Sequence, residues 1–299
     1  MPEFEWQFTL VLLTNGVMIG LMYALIALGF VLIYKATDAI NFAQGEFVMF
    51  AGFIAAGAAE LAGAPFWVSA LLSVAGMVAL GFGIERVVLR PLIGRPIIAV
   101  VMATIGLAAV LRGGAVLAFG AGTRAIEMPV SDSPLYLGPV ALSQVQLVGA
   151  TVSIVFLATF SWFFLRSRVG IAMRAVADSQ QVAMAMGINV QRYFALAWAM
   201  AGVVSALGGV VWGAMLGVDN QLALVGLKVF PVVILGGLDS IIGAVVGGLI
   251  VGIVENLAAG YLDPYVGGGT KDFAPYILMI VALMLRPEGI FGRRRIERV

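Results

Sequence analysis

Residues 9–34 read TLVLLTNGVMIGLMYALIALGFVLIY, with no charged side chain among them. A run of this length exceeds the ~20 residues that a helix needs to cross ~30 Å of hydrocarbon. Inside lipid every backbone N–H and C=O has to be satisfied within the segment, so a lone run of this kind is helical. Residues 61–84, 133–165 and 193–218 are uncharged in the same way. Across the chain 62% of residues are apolar and 11% charged, with a mean hydropathy of +1.08, a balance foreign to water-soluble domains. The pattern predicts an all-α fold, a polytopic transmembrane helix bundle. The first run follows Glu3 and Glu5 with no lysine or arginine before it, so it is expected to stay as the first span and not to serve as a signal peptide.

Charge placement orients the bundle. Most of the 17 basic residues fall in groups at alternate ends of the apolar runs: Lys35; Arg86, Arg90 and Arg95; Arg166, Arg168, Arg174 and Arg192; Arg286, Arg293, Arg294, Arg295 and Arg298. Basic residues concentrate on the cytoplasmic side, which puts the N-terminus outside and the C-terminus in the cytoplasm. Glu60, the 120–142 loop with Arg124, Glu127 and Asp132, and the stretch from Tyr261 to Asp272 then lie outside. Pro129, Pro134, Pro139 and Pro264, with Gly267 to Gly269, mark the two outer loops as irregular connections. Between Arg192 and Arg293 an even number of crossings is required. Four fit: 193–216, 222–236, 240–258 and 273–286. The second is short and interrupted by Pro231 and Gly236-Gly237, so it reads as a broken or half-membrane helix. The total is eight or nine membrane segments.

The chain has no cysteine and no histidine, which excludes disulfides, Cys/His metal sites, haem ligation and any histidine-based catalytic triad. It has no Gly-Lys-Ser/Thr sequence for a nucleotide-binding loop and no adjacent acidic pair for magnesium. No catalytic, metal or cofactor residue is therefore assigned, and a net charge of +1 gives no reason to expect nucleic acid. Gly16-x-x-x-Gly20, Gly243-x-x-x-Gly247 and Gly248-x-x-x-Gly252 allow close helix approach, within the chain or between subunits. Asn41, Gln44 and Glu46 stand where the second apolar stretch begins. A charge at that depth is costly, so Glu46 reads either as a cap on the helix start or, with its two neighbours, as part of a transport pathway. Lys228, Asp239 and Glu255 raise the same question; Glu255-Asn256 is expected to sit in water near the outer face, and Arg112 to snorkel from a span end.

Residues 166–192, RSRVGIAMRAVADSQQVAMAMGINVQR, form a polar island between two uncharged runs. Ile171, Ala175, Val182 and Met186 recur at helical spacing, with Arg174, Asp178, Gln180 and Gln181 on other faces, and Gly187 follows as a stop. This predicts an amphipathic helix over Ile171 to Met186, outside the bilayer. It serves either as a positive-inside topology signal or as a docking helix for a soluble partner.

Four sets of residues, in order along the chain, carry a family resemblance: Met22-Tyr-Ala-Leu-Ile-Ala-Leu-Gly29 with Ile40-Asn-Phe-Ala-Gln-Gly-Glu46; Arg174-Ala-Val-Ala-Asp178 with Met186-Gly187-Ile188; Leu235-Gly-Gly-Leu-Asp-Ser240 with Gly243; and Arg286-Pro-Glu-Gly-Ile-Phe-Gly292. Together they resemble the permease subunits of bacterial high-affinity branched-chain amino acid ABC importers. Gln44 stands where such permeases more often carry histidine, so no imidazole role carries over. The resemblance implies a single transmembrane permease domain over 1–299, with 166–192 as its cytoplasmic coupling loop, in the bacterial inner membrane. It implies a second homologous permease subunit, two cytoplasmic ATPase subunits that hydrolyse the ATP, and a periplasmic substrate-binding protein. Arg174, Ala175, Asp178, Val182, Ala183, Met186 and Gly187 would then couple to an ATPase. Urea or short amides are alternative substrates, and an ion-coupled secondary transporter is the rival of another class.

Overall fold

The computed structural model describes residues 2–292 apart from Gly94, Asp132 and Pro139. Asp132, Pro139 and the arginines Arg293, Arg294, Arg295 and Arg298 invoked above lie outside the described residues. The helices run α1 Pro2–Thr37, α2 Gln44–Ala62, α3 Phe66–Ile84, α4 Ile97–Phe119, α5 Gln144–Arg166, α6 Arg168–Asp178, α7 Gln180–Ala185, α8 Val190–Leu216, α9 Leu224–Gly236, α10 Ile241–Val266 and α11 Thr270–Leu285. Among the described residues seven are long and apolar enough to cross a membrane: α1, α2, α3 with its continuation to Leu92, α4, α5, α8 and α10. The four segments expected after Arg192 are α8 to α11. The second of them, α9, has 13 residues with Pro231 inside it and rises only about 20 Å, as expected of a half-membrane helix.

Two connections are more ordered than their prolines suggest. Leu135–Leu137 (β1) and Val140–Leu142 (β2) pair antiparallel, Leu135 opposite Leu142, with Gly138 at φ +62° in the turn. Further along, α10 continues through Pro264 to Val266, so the outer stretch shrinks to a turn in which Gly267, Gly268 and Gly269 all have positive φ. Three successive left-handed residues reverse the chain at a point where side chains would resist it.

The chain forms two compact units, one of Met1–Ala27, Val130–Ile154 and Leu227–Val299 and the other of Leu28–Pro129 and Val155–Gly226. In the first, the glycine spacings of α1 and α10 face each other. A Cβ on Gly20 would lie 2.6 Å from the Gly248 carbonyl oxygen, and one on Gly252 2.4 Å from that of Gly16. Gly243 and Gly247 meet α9 as closely, at Gly236 and Val232. These spacings pack the chain on itself. In the second unit α2, α3 and α8 form the core. Phe47, Met77 and Trp198 are fully buried, Phe47 meets Trp198 edge-on at 5.8 Å, and a Cβ on Gly202 would lie 2.4 Å from the Met77 carbonyl oxygen. Leu107 and Leu111 of α4 complete this core. The opposite face of α4, with Ile98, Met102, Ile105 and Val110, is exposed.

Backbone contact of this kind has no room for a methyl group. Gly20→Val should lower the melting temperature in detergent and the yield of folded protein, because overpacking costs about 1–3 kcal/mol or more. Gly106→Ala, where nothing lies within 4 Å of the added carbon, should melt as wild type.

Candidate functional site

The polar residues at the head of α2 form one hydrogen-bonded group. Asn41 accepts from the Ala43 amide through Oδ1 (3.1 Å) and donates through Nδ2 to Gln44 Oε1 (3.3 Å), while Gln44 Nε2 donates to Ser205 Oγ on α8 (2.9 Å). The Phe42 amide donates to Thr104 Oγ1 on α4 (3.3 Å). Asn41, Gln44 and Ser205 are fully buried. Ala43 occupies the cap position of α2 and has no polar side chain to offer; Asn41 accepts from the Ala43 amide two residues on, an Asx turn just ahead of the helix. Sequence reading placed these residues at the helix start; the tie to Ser205 depends on α8 arriving from far along the chain.

Glu46 is buried and binds Arg112, whose guanidinium Nη2 lies 2.5 Å from Glu46 Oε1. Arg112 therefore does not snorkel from a span end. It sits about 22 Å along α4, whose axis spans about 34 Å, and the carboxylate holds it there. An unpaired carboxylate or guanidinium in hydrocarbon costs about 2.5–3.5 kcal/mol or more at mid-depth. Half of the Arg112 side chain is exposed, in a groove lined by Ile105, Ala108, Ala109, Gly113 and Val116. Glu85 is likewise buried and holds Arg90 at 2.9 Å, beyond the end of α3, where the backbone widens into a π-turn over Glu85–Leu89.

A second charged group lies in the other unit. Glu255 is only 6% exposed, which corrects its expected place in water. Lys228 Nζ on α9 lies 3.6 Å from Glu255 Oε1 and 2.7 Å from Asp272 Oδ1 at the start of α11. The half-membrane helix is thereby tied to both helices that follow it. Sequence periodicity could have found Glu255, because it continues the stripe Ala244, Gly248, Val251 along which α10 is buried. At its far end α9 accepts backbone bonds from the final motif: Ile290 donates to the Leu235 carbonyl (2.8 Å) and Phe291 to that of Gly236 (3.0 Å).

The polar island is two helices, not one. Ser179, extended at φ −158°, ends α6 and caps α7 by accepting from the Val182 amide, the local competition with helix that serine hydroxyls offer. Gly187 has φ +81°, and the Ile188 amide reaches back to the Ala183 carbonyl at 2.9 Å, which makes it the stop expected. Met173, Val176 and Ala183 face inward, whereas Ile171, Val182, Met184 and Met186 are exposed. Ala183 therefore does not present its side chain outward as Val182 and Met186 do. Arg174 donates to the Phe164 carbonyl and stacks over the Phe164 ring at 5.5 Å; Ala175 is half-buried and Asp178 exposed. Gln180 donates to the Ala36 carbonyl (3.3 Å) at the end of α1.

The sites, the loop and every span but the outermost turns lie within residues 12–283, which match the family model described as branched-chain amino acid transport system / permease component. The chain belongs to this family. The permease protein BraD of Pseudomonas aeruginosa is 32% identical over 96% of this chain and 97% of its own length, and LivH of Escherichia coli 32% identical over 95% and 96%; both are described as permease proteins of high-affinity branched-chain amino acid transport systems. A probable branched-chain amino acid permease from Methanocaldococcus jannaschii is 28% identical over 94% of this chain. Members of the family are membrane-spanning transport subunits and not enzymes.

Because Glu255 is buried, removing its cation should cost more than removing the pair. Lys228→Met should destabilise the detergent-solubilised protein by about 3 kcal/mol, and Lys228→Met combined with Glu255→Gln should recover most of the loss of melting temperature.

Proposed function

We propose that the chain is one of two membrane subunits of an ATP-driven importer of branched-chain amino acids in the bacterial inner membrane. The observation that carries this reading is end-to-end similarity to permeases of that substrate class. ATP would be hydrolysed on two separate cytoplasmic subunits, and a periplasmic binding protein would deliver the substrate to this chain and a homologous partner permease. Leucine uptake by the reconstituted assembly should require ATP and the binding protein; uptake driven by an ion gradient without them would sink the importer in favour of a secondary carrier. The binding protein should melt at a higher temperature with leucine, isoleucine or valine, and a shift with urea alone would move the substrate to urea and short amides.

The N-terminus is assigned to the periplasm and the C-terminus to the cytoplasm on the distribution of arginine. Arg124 binds Glu60, and Thr123 donates to Asp219 (3.1 Å), which gathers the ends of α2, α4 and α8 at one face. The loop that holds Arg174 and Gln180 meets the end of α1. Since the native chain has no cysteine, single cysteines report sidedness directly. With an impermeant thiol reagent on intact cells, Ser131→Cys should label and Gln181→Cys should not; the reverse pattern would invert the topology.

The α6–α7 pair is the proposed ATPase contact, through the exposed Asp178, Val182 and Met186 with Ala175 and Gly187 beside them, while Arg174 holds the loop to Phe164. Val182→Glu with Met186→Glu should leave the permease inserted while abolishing copurification of the ATPase. Ala183→Glu, at a buried position, should instead lower the amount of folded permease. Normal ATPase binding by the double variant would reduce the loop to a topology signal.

A further inference from the structure

The groove beside the Glu46–Arg112 pair combines features that neither packing nor lipid contact accounts for. Ile105, Ala109, Arg112, Gly113 and Val116 recur at helical spacing on the face of α4 opposite Leu107, Leu111 and Ala115, which are buried. Its wall is small and aliphatic, and the ion pair supplies its charge. Arg112 lies within the hydrocarbon depth of the helix, roughly 10 Å from its C-terminal end. Glu46 prevents it from bending toward water at the interface. A half-exposed guanidinium in that position faces water or a polar occupant, since lipid tails offer it nothing.

We propose that this groove is a substrate station, in which Arg112 receives the carboxylate of an aliphatic α-amino acid and the Ile105–Val116 wall receives its branched side chain. The inference rests on the importer reading above and adds to it the contact that recognises the substrate. One guanidinium nitrogen is held by Glu46, and the fork geometry of arginine leaves others to bind a carboxylate. Glu46 lines the groove with little of its surface exposed. It is a positioning residue that fixes the guanidinium against the wall. For the guanidinium N–H groups that Glu46 leaves over, a carboxylate is a stronger acceptor than the neutral carbonyl of urea or an amide, so the chemistry of the groove favours an amino acid. Gly113 keeps the wall open, with no atom within 4 Å of where its Cβ would stand.

The test uses the complete importer in proteoliposomes, with both permeases, the ATPases and the binding protein, and photo-leucine as the probe. During transport, illumination should place the label on the 97–119 peptide, with excess leucine competing it away. The neutral pair Glu46→Gln with Arg112→Gln, which preserves hydrogen-bonding groups without leaving a lone charge, should reduce that label and the uptake by about tenfold or more. Gly113→Leu adds bulk only to open space, so the subunits should still copurify while uptake falls by a similar factor. Photo-leucine imported normally but labelling other segments would overturn the proposal, as would full uptake by Gly113→Leu. Loss of the partner permease from Gly113→Leu would instead make this face a subunit contact. Failure of the wild-type assembly to import photo-leucine or leucine would bring down the importer reading and the groove with it.

Discussion

Helices in lipid gain nothing by burying leucine against one another, because the surrounding tails are as apolar as leucine itself; what holds them is close contact. In both units of this chain the contact is backbone against backbone. Gly16 and Gly20 meet Gly252 and Gly248, Gly243 meets Gly236, Gly202 meets the Met77 carbonyl, and Gly81 meets that of Trp198. At that separation dispersion acts along the whole length of each pair, and even a methyl group would push the axes apart. The positions of the charged groups follow from this. Lys228 can reach Glu255 because α9 is drawn tightly onto α10, and Gln44 can reach Ser205 because α2 lies against α8.

Polar groups inside the spans are handled by one rule. Glu46 has Arg112, Glu85 has Arg90, and Glu255 has Lys228. Each pair joins different elements or spans a helix irregularity, so each is a tie as well as a neutralisation. Removing one member of a buried pair costs more than the pair itself contributes, which makes such ties specific without making them strong. The Glu46–Arg112 pair opens onto the groove along α4.

The 166–192 loop reverses the usual arrangement of a surface segment. Arg174 and Gln180 turn inward to satisfy the carbonyls of Phe164 and Ala36, whereas Ile171, Val182, Met184 and Met186 point outward. Exposed methionine and aliphatic side chains on a capped helix pair suit a contact with another protein. The break at Ser179 gives the pair a bend that a single helix could not have, while Gly187 fixes the direction in which the chain re-enters α8.

Hydropathy and charge alone determined the class of fold, the spans, the interrupted segment around Pro231 and the stop at Gly187, because each follows from the cost of exposing or bending a backbone in lipid and is local to the residues concerned. The polar head of α2 was legible for the same reason: Asn41, Gln44 and Glu46 are out of place in an apolar run. Partnership was not legible. Arg112 read as a snorkelling residue and Glu255 as a hydrated one, since a single helix shows the presence of a charge and not its counter-charge. The split of the loop helix was missed because periodicity registers a stripe of side chains across a one-residue interruption. Which glycines meet, which charge pairs with which, and whether Ala183 or Val182 faces outward depend on how segments distant in sequence pack, and only the tertiary structure brings them within hydrogen-bond range.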